Sequence, residues 1–148
     1  MKILIKDPQI TSDMLKPATK GSAGIDLLAS IAHFKLLYAG ESYVVHTGIQ
    51  VSIPKGWVGL VIPRSGLGAY SGIVLGNLVG AIDSDYRGEI LVPVWNRNFE
   101  GKAYRIDPYH RIAQLLVVPH YLYDNVEFVT GKLDTTDRDD SGFGSSGL

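Results

Sequence analysis

The chain has 148 residues, enough for one domain that buries roughly two-thirds of its unfolded surface. Fourteen Lys+Arg against fifteen Asp+Glu leave a net charge of −1, which removes the broad electrostatic case for duplex nucleic acid or an anionic membrane as a direct partner, so any anion binding has to be local. There is no cysteine, which excludes a disulfide framework, a zinc–thiolate site and a thiol nucleophile and is compatible with a reducing cytoplasm.

The apolar run in Met1 to Lys6 is too short for a signal peptide, and Leu115 to Val118 falls far short of the ~20 residues of a membrane span. A soluble, cytoplasmic protein is expected. Seventeen glycines and seven prolines separate short runs rich in Val, Ile and Leu, which predicts many short strands and an all-β architecture.

Lys2 to Lys6 alternates apolar and basic residues as an opening strand, and Pro8 to Lys20 reads as a polar connection. In Ser22-Ala-Gly-Ile-Asp-Leu-Leu28, Asp26 sits in a strand-like setting. A carboxylate paired with backbone or arginine is the simpler reading there, and one that holds a hydrated metal ion is the alternative. After Phe34 to Leu37, the stretch Tyr43 to Ile53 puts Val45, Thr47, Ile49, Val51 and Ile53 on one face and His46, Gln50 and Ser52 on the other, a half-buried strand. His46 therefore reads as a surface or interface residue, and His33, His110 and His120 show no metal-ligand spacing.

Trp57 to Ile62 is a strand that runs into Pro63-Arg-Ser-Gly-Leu-Gly-Ala-Tyr70 and a short helix. Arg64, Ser65 and Gly66 offer a guanidinium, a hydroxyl and free backbone N–H groups together, a combination that suits a phosphate; an N-capping role for Ser65 is the other reading. The lysine and glycine spacing of a Walker loop is absent.

Asn77 to Glu89 interleaves reactive side chains with turn formers. Leu78, Val79 and Ile82 suit a strand, Ser84-Asp85 a turn, and Ile90-Leu91-Val92 a second strand, so a hairpin is predicted. Gly80 and Gly88 would let a flat ligand such as a nucleobase lie against bare backbone. On a strand, Asp83 and Asp85 would share a face and each resist the other's ionisation, leaving one as a general base. Tyr86 adds a ring to stack under a sugar or base, and Asn77 an amide that donates and accepts. A solvated hairpin with ordinary surface acids is the competing reading, and a calcium loop lacks its third ligand and distal glutamate.

Pro93 places Ile90 to Trp95 at a sheet edge or a bulge, and Asn96 to Glu100 is a turn. Arg111 to Val118 is an apolar strand interrupted by Gln114, whose amide needs a partner in a ligand's phosphate or in the backbone. From Asp134 to Leu148 the chain is polar and Gly/Ser-rich and is expected to be disordered. Arg138, Phe143, Ser145 and Ser146 would make that arm a lid over a nucleotide, with the aromatic ring on the base and the cation on phosphate.

Five segments in order resemble the motifs of the homotrimeric dUTPases: Ala23-Gly-Ile-Asp-Leu27, Pro63-Arg-Ser-Gly-Leu-Gly68, Gly80-Ala-Ile-Asp-Ser-Asp-Tyr-Arg-Gly-Glu89, Arg111-Ile-Ala-Gln-Leu115, and Arg138 with Gly142-Phe-Gly-Ser-Ser-Gly147. The resemblance spans nearly the whole chain. It implies a distorted jelly roll or β-barrel of the β-clip type over residues 1–133, with one short helix, and a flexible arm over 134–148. It also implies a homotrimer with shared active sites. The implied reaction is dUTP plus water giving dUMP and pyrophosphate with Mg²⁺, which keeps uracil out of DNA and supplies dUMP for thymidylate synthesis.

Through the same resemblance, Asp83 matches the residue that activates the water attacking the α-phosphorus, and Tyr86 the ring that excludes a ribose hydroxyl. Asn77 and the backbone at Gly80 match the uracil readers. Arg64, Ser65, Gly66 and Gln114 match phosphate contacts, and Asp26 the residue that holds the hydrated metal indirectly. Arg138, Phe143, Gly144, Ser145 and Ser146 match the closing arm. Two departures stand out: Tyr109-His110 where the family usually has a glycine and an acid, and Asp139-Asp140 where it is glycine-rich. The rival readings are the dCTP deaminase branch, against which Tyr86 and the arm motif speak, and a regulatory protein gated by nucleotide.

Overall fold

Short runs of Val, Ile and Leu punctuated by Gly and Pro form strands in the computed structural model, which describes residues 1–17, 19–101, 103–137, 139 and 140. Among them are β1 (Lys2–Ile5), β2 (Ile25–Leu28), β3 (Lys35–Leu37), β4 (Ser42–Ser52), β5 (Trp57–Pro63), β6 (Ile73–Leu75), β7 (Gly80–Ile82), β8 (Glu89–Asn96), β9 (Tyr104–Ile106) and β10 (Arg111–Pro119). Among the described residues there is one α-helix, α1, spanning Ser65–Ser71. Two four-stranded antiparallel sheets run β1-β4-β8-β6 and β2-β10-β5-β7, and β3 pairs with β9 as a separate ribbon. Both sheets feed one core, in which Val45, Ile49, Val92 and Val94 of the first meet Leu27, Ala113 and Leu115 of the second. The all-β jelly-roll expectation with one short helix holds.

The connection from Pro8 to Lys20 is less polar in place than in sequence, because Ile10 and Leu15 are buried in the core. Asn96 is fully buried too. It is satisfied by donating to Leu37 O (3.0 Å) and accepting from Asn98 Nδ2 (2.8 Å).

The hairpin expected around Asp83 does not form as a ladder. β7 pairs with β5 in one sheet, while β8 pairs with β4 and β6 in the other, so Asp83 to Gly88 is a corner between sheets. Leu78 and Val79 are exposed in the turn before β7, and Leu78 has φ 64, a left-handed conformation uncommon for a branched side chain. Asp83 and Asp85 lie in the corner, outside any strand, so no strand spacing places them on one face.

Pro93 is also not where it was expected, since β8 is an inner strand between β4 and β6. The Pro93 carbonyl accepts from Gly76 N–H at 2.7 Å, and a residue's N and O project to the same side of a strand. The missing donor thus faces the point where β6 has ended at Leu75, a local edge inside an inner strand.

Of the expected arm, residues 134–137, 139 and 140 are exposed. Arg138, Phe143, Gly144, Ser145 and Ser146 lie outside the described residues.

In β4 the odd-numbered residues Val45 to Ile53 are buried as predicted, yet the ladder with β8 slips between His46 and Gln50. His46 faces Leu91 and Gln50 faces Glu89, so four steps on β4 match two on β8 and the alternation survives the bulge. Gly48, at φ 68, makes the bulge possible, because a Cβ there would stand 2.6 Å from that of Asp7. Glu89 closes it: Oε1 accepts from Gly48 N–H (2.8 Å) and Oε2 lies 2.9 Å from His46 Nδ1. Burial pushes the Glu89 carboxyl pKa up, but these hydrogen bonds outweigh it and the net shift is downward. A lowered folded pKa stabilises the fold above the ordinary carboxylate range and loses that contribution as pH falls through the folded value. Glu89→Gln should therefore unfold more readily at pH 7, by about 1 kcal/mol, with the gap to wild type closing in acid; urea titrations at several pH values measure it.

Candidate active site

Strand β10 runs between β2 and β5, and its register lines up Asp26, Gln114 and Ile62 in one row across the sheet. Two residues past Ile62, Arg64 leaves the end of β5 and turns back to Asp26, with Nε 3.0 Å from Oδ1. Arg111 approaches the other oxygen, Nε to Oδ2 at 2.9 Å. One carboxylate thus holds two guanidiniums, and the terminal nitrogens of both are left for other work. In the sequence Arg111 was read only as the start of an apolar strand and as part of a motif, with no role of its own. A bulge between it and Ala113 buries both Ile112 and Ala113 and brings Arg111 round to Asp26.

Gln114 donates Nε2 to the Pro63 carbonyl at 3.1 Å, so the backbone partner foreseen as one alternative is present. Its Oε1 fills the space that a Cβ on Gly24 would need, at 2.6 Å from that position. A cleft of about 450 Å³ opens here, lined by Asp26, Arg64, Ser65, Gly66 and Gln114 among others. The N-cap of α1 is Arg64, in extended conformation, and no side chain caps the helix, which sets aside the capping role for Ser65. Gly66 faces open space. The sequence-predicted phosphate contacts are therefore gathered in one place.

The other predicted group stands elsewhere. Ala81, Ile82, Asp83, Tyr86, Glu89 and Leu91 line a pocket of about 170 Å³ at the corner between sheets. Asp83 is exposed, and its carbonyl accepts from Tyr86 N–H (3.2 Å), while Tyr86 Oη donates to Glu89 O (2.9 Å). Gly88 serves this ring, since a Cβ on it would collide with the Tyr86 hydroxyl. The glycine that leaves backbone bare for a ligand is thus Gly80 alone. Asn77 is exposed in the turn before it, and its amide nitrogen lies 3.3 Å from where a Cβ on Gly80 would be. β7 is the edge strand of its sheet, so its outer backbone groups have no strand partner.

These two groups share no lining residue. Ile82 pairs with Gly59, five positions before Arg64. At ~3.3 Å per residue, Asp83 stands roughly 15–20 Å along the strand from Arg64.

Among the described residues, no cluster of three or more His, Asp or Glu is placed to hold a metal ion. Asp26 Oδ1 already accepts from Arg64 and Oδ2 is ion-paired with Arg111, so a bare divalent ion there would sit against two cations. What fits is a hydrogen bond from a metal-bound water to a remaining lone pair, the indirect role expected for Asp26. Asp26→Asn should leave two guanidiniums facing a neutral amide and lower stability by about 1–3 kcal/mol; thermal unfolding should show that loss shrinking in high salt, which screens the exposed cations.

A family model described as dUTPase matches residues 11–147. A deoxyuridine 5'-triphosphate nucleotidohydrolase of Nitrosospira multiformis is 45% identical over 148 residues, covering 98% of this chain and 95% of that one. One of Psychrobacter arcticus is 43% identical over 152 residues, covering 99% and 97%. Among solved structures, the Staphylococcus bacteriophage 80alpha dUTPase with dUPNHPP aligns with a TM-score of 0.83 at 28% identity, over 99% of this chain and 98% of that one. The dUTPase of phage phi11 of S. aureus, described with a structural Mg(II) ion, shares the fold with a TM-score of 0.77 at 22% identity, over 90% of this chain and 98% of that one. With five motifs in order, a jelly-roll core and relatives of this closeness along its whole length, the chain belongs to the dUTPase family.

Proposed function

We propose that this protein hydrolyses dUTP to dUMP and pyrophosphate at sites that one copy of the chain does not complete alone. The observation that carries the reading is the separation of Asp83 from the Asp26, Arg64 and Gln114 cleft. A general base works within about 2.6–3.2 Å of the proton it takes. A triphosphate whose α-phosphorus lies beside Asp83 would not reach the Arg64 of the same chain across roughly 15–20 Å. Nucleoside and phosphate halves therefore come from different copies, and a homotrimer with three such sites is the assembly proposed.

Within that site, Asp83 takes the proton of the attacking water as its oxygen closes on the α-phosphorus, and pyrophosphate leaves. The edge of β7 at Gly80, with the Asn77 amide, reads the donors and acceptors of uracil; a 5-methyl group finds no room and cytosine presents the wrong pattern. Tyr86 is held by its bond to Glu89 O with its ring under the deoxyribose, where a ribose hydroxyl would clash. Arg64, Ser65, Gly66 and Gln114 contact the phosphates of a triphosphate bound by a neighbouring copy, and Asp26 keeps Arg64 in place. Mg²⁺, when bound to the triphosphate, would neutralise developing charge, with Asp26 accepting from one of its waters. Arg138, Phe143, Gly144, Ser145 and Ser146 close as an arm over a neighbour's site, with Asp139 and Asp140 opposing that closure.

Among the described residues no helix is long and apolar enough to cross a membrane, and a cytoplasmic location is part of the proposal. A second, signalling role has one observation in its favour. The 80alpha dUTPase is described as controlling transfer of virulence genes by a proto-oncogenic G protein-like mechanism.

Two variants test the shared site. Asp83→Asn should bind a non-hydrolysable dUTP analogue yet lose about 10²–10⁴ in turnover, and Arg64→Ala should be impaired through the phosphates. Neither should work well alone. Unfolded together and refolded as a mixture, they should regain activity at about a quarter of wild-type sites, those that random assembly supplies with both intact halves. Co-assembly without recovery would put both halves in one chain and overturn the proposal; binding of dUTP by wild type without pyrophosphate release would favour the signalling role. dTTP, dCTP and UTP should not be turned over.

A further inference from the structure

Arg64 lines a second cavity, of about 320 Å³, together with Leu67, Tyr104, Tyr109, His110 and Arg111. Its walls are rich in donors and poor in acceptors. Arg64 donates Nε to Asp26, Arg111 is ion-paired with it at 2.9 Å, and neither guanidinium makes another side-chain hydrogen bond among the described residues. Among the described residues no carboxylate lines the cavity. Outside the lining, Asp26 pairs with both guanidiniums, and Asp107 accepts from Arg105 Nε at 2.6 Å while its other oxygen stands 3.7 Å from His110 Nε2, beyond hydrogen-bond reach. Burial raises the Tyr104 pKa, with Arg64 pulling the other way, so the phenol keeps its proton and remains a donor.

The lining is held in place without help from a ligand. Tyr109 adopts φ 61, the left-handed conformation that a glycine takes without cost, and its N–H donates to Ala29 O at 2.7 Å. Its hydroxyl donates to Gln9 Oε1 at 2.7 Å, which pins the ring as a wall. The His110 carbonyl accepts from Ala29 N–H (2.8 Å), and its Nδ1 accepts from Asp107 N–H (3.2 Å). With Nδ1 an acceptor, the proton of the imidazole sits on Nε2, so the ring is a donor on that side. These are the two positions where the family resemblance leads one to expect a glycine and an acid. An acid at 110 could make the same bond to Asp107 N–H, but its charge would stand beside Arg111. With histidine there, two guanidiniums face only the shared carboxylate of Asp26.

We propose that this cavity is a second oxyanion site, one that takes inorganic pyrophosphate or phosphate while a nucleotide occupies the main cleft. The choice of a phosphorus oxyanion rests on the hydrolase reading, in which pyrophosphate is released next to Arg64. The site itself rests on the two guanidiniums, the imidazole, the phenol and the absence of a lining acid. A bound anion would restrain Arg64 from its other side and so slow the departure of product or the entry of the next substrate.

The test keeps the assembled protein and fills the main cleft with a non-hydrolysable dUTP analogue and Mg²⁺ before titrating pyrophosphate, and separately phosphate, by calorimetry. Wild type should bind further anion under these conditions. His110→Asp, which retains an acceptor for Asp107 N–H and adds a carboxylate, should weaken that binding at least about tenfold while analogue affinity stays unchanged, which also shows that the variant is folded. Tighter binding of pyrophosphate assigns the product as occupant and tighter binding of phosphate the free ion; either outcome supports the site. No anion binding above the analogue-saturated baseline, or equal binding by His110→Asp, overturns it. If the analogue itself fails to bind, the hydrolase reading falls, and the effect of His110→Asp on pyrophosphate binding to the free protein still decides the second site.

Discussion

The register of β10 governs where the phosphate-facing groups stand. This strand is hydrogen-bonded to β2 on one side and β5 on the other, so a single alignment places Asp26 opposite Gln114 and Gln114 opposite Ile62. A slip of one residue would turn Gln114 into the core and carry Asp26 away from the end of β5, where Arg64 waits. Asp26 then converts that register into electrostatics, because its two oxygens each take one guanidinium at 2.9–3.0 Å. The apolar neighbours Leu27, Ala113 and Leu115, all buried, resist such a slip more strongly than the exposed ion pairs can. Packing sets the register, and the register sets the charges.

The other half of the chemistry depends on a break in pairing. β7 has only three residues and a single partner, β5, and the chain leaves it for the opposite sheet by way of Asp83 to Gly88. An inner strand would have both rows of backbone groups occupied. An edge strand keeps one row open, which costs protection against stray pairing but supplies donors and acceptors at fixed spacing. The corner also carries Tyr86, locked by Glu89 O and by the absence of a Cβ on Gly88. The fold puts Asp83 far from Arg64 along one strand, and the proposed site, which needs both, for that reason needs more than one copy.

Much of this was legible in the residues. Runs of β-branched residues between Gly and Pro marked nearly every strand, the odd-numbered stripe of β4 marked its buried face, Asp26 was read as a carboxylate paired with backbone or arginine, and Arg64 to Gly66 and Gln114 stood out as groups that suit a phosphate. Leu78 and Val79, the pairing of the Asp83 corner and Pro93 were all read from short stretches, on the assumption that a strand continues and that its nearest neighbour in sequence is its partner, and Arg111 was read only as the start of a strand. Leu78 and Val79 are apolar yet exposed, Pro93 sits in an inner strand beside a neighbour that stops short, and Arg111 is displaced by a bulge. None of these leaves a mark in hydrophobic pattern.

By itself, then, the sequence determined the class of fold and the inventory of reactive groups, since both follow from which residues prefer a pleated half-buried strand and which carry charge or a hydroxyl. Only the tertiary structure decided which of those groups stand together. Long-range pairing brings Asp26 and Arg111, 85 positions apart, to 2.9 Å, and sends Asp83 to the opposite end of β5 from Arg64. Contacts between residues distant in the chain are selected by the packing of a shared core and by where each strand stops, and neither quantity is stored in any local stretch of residues.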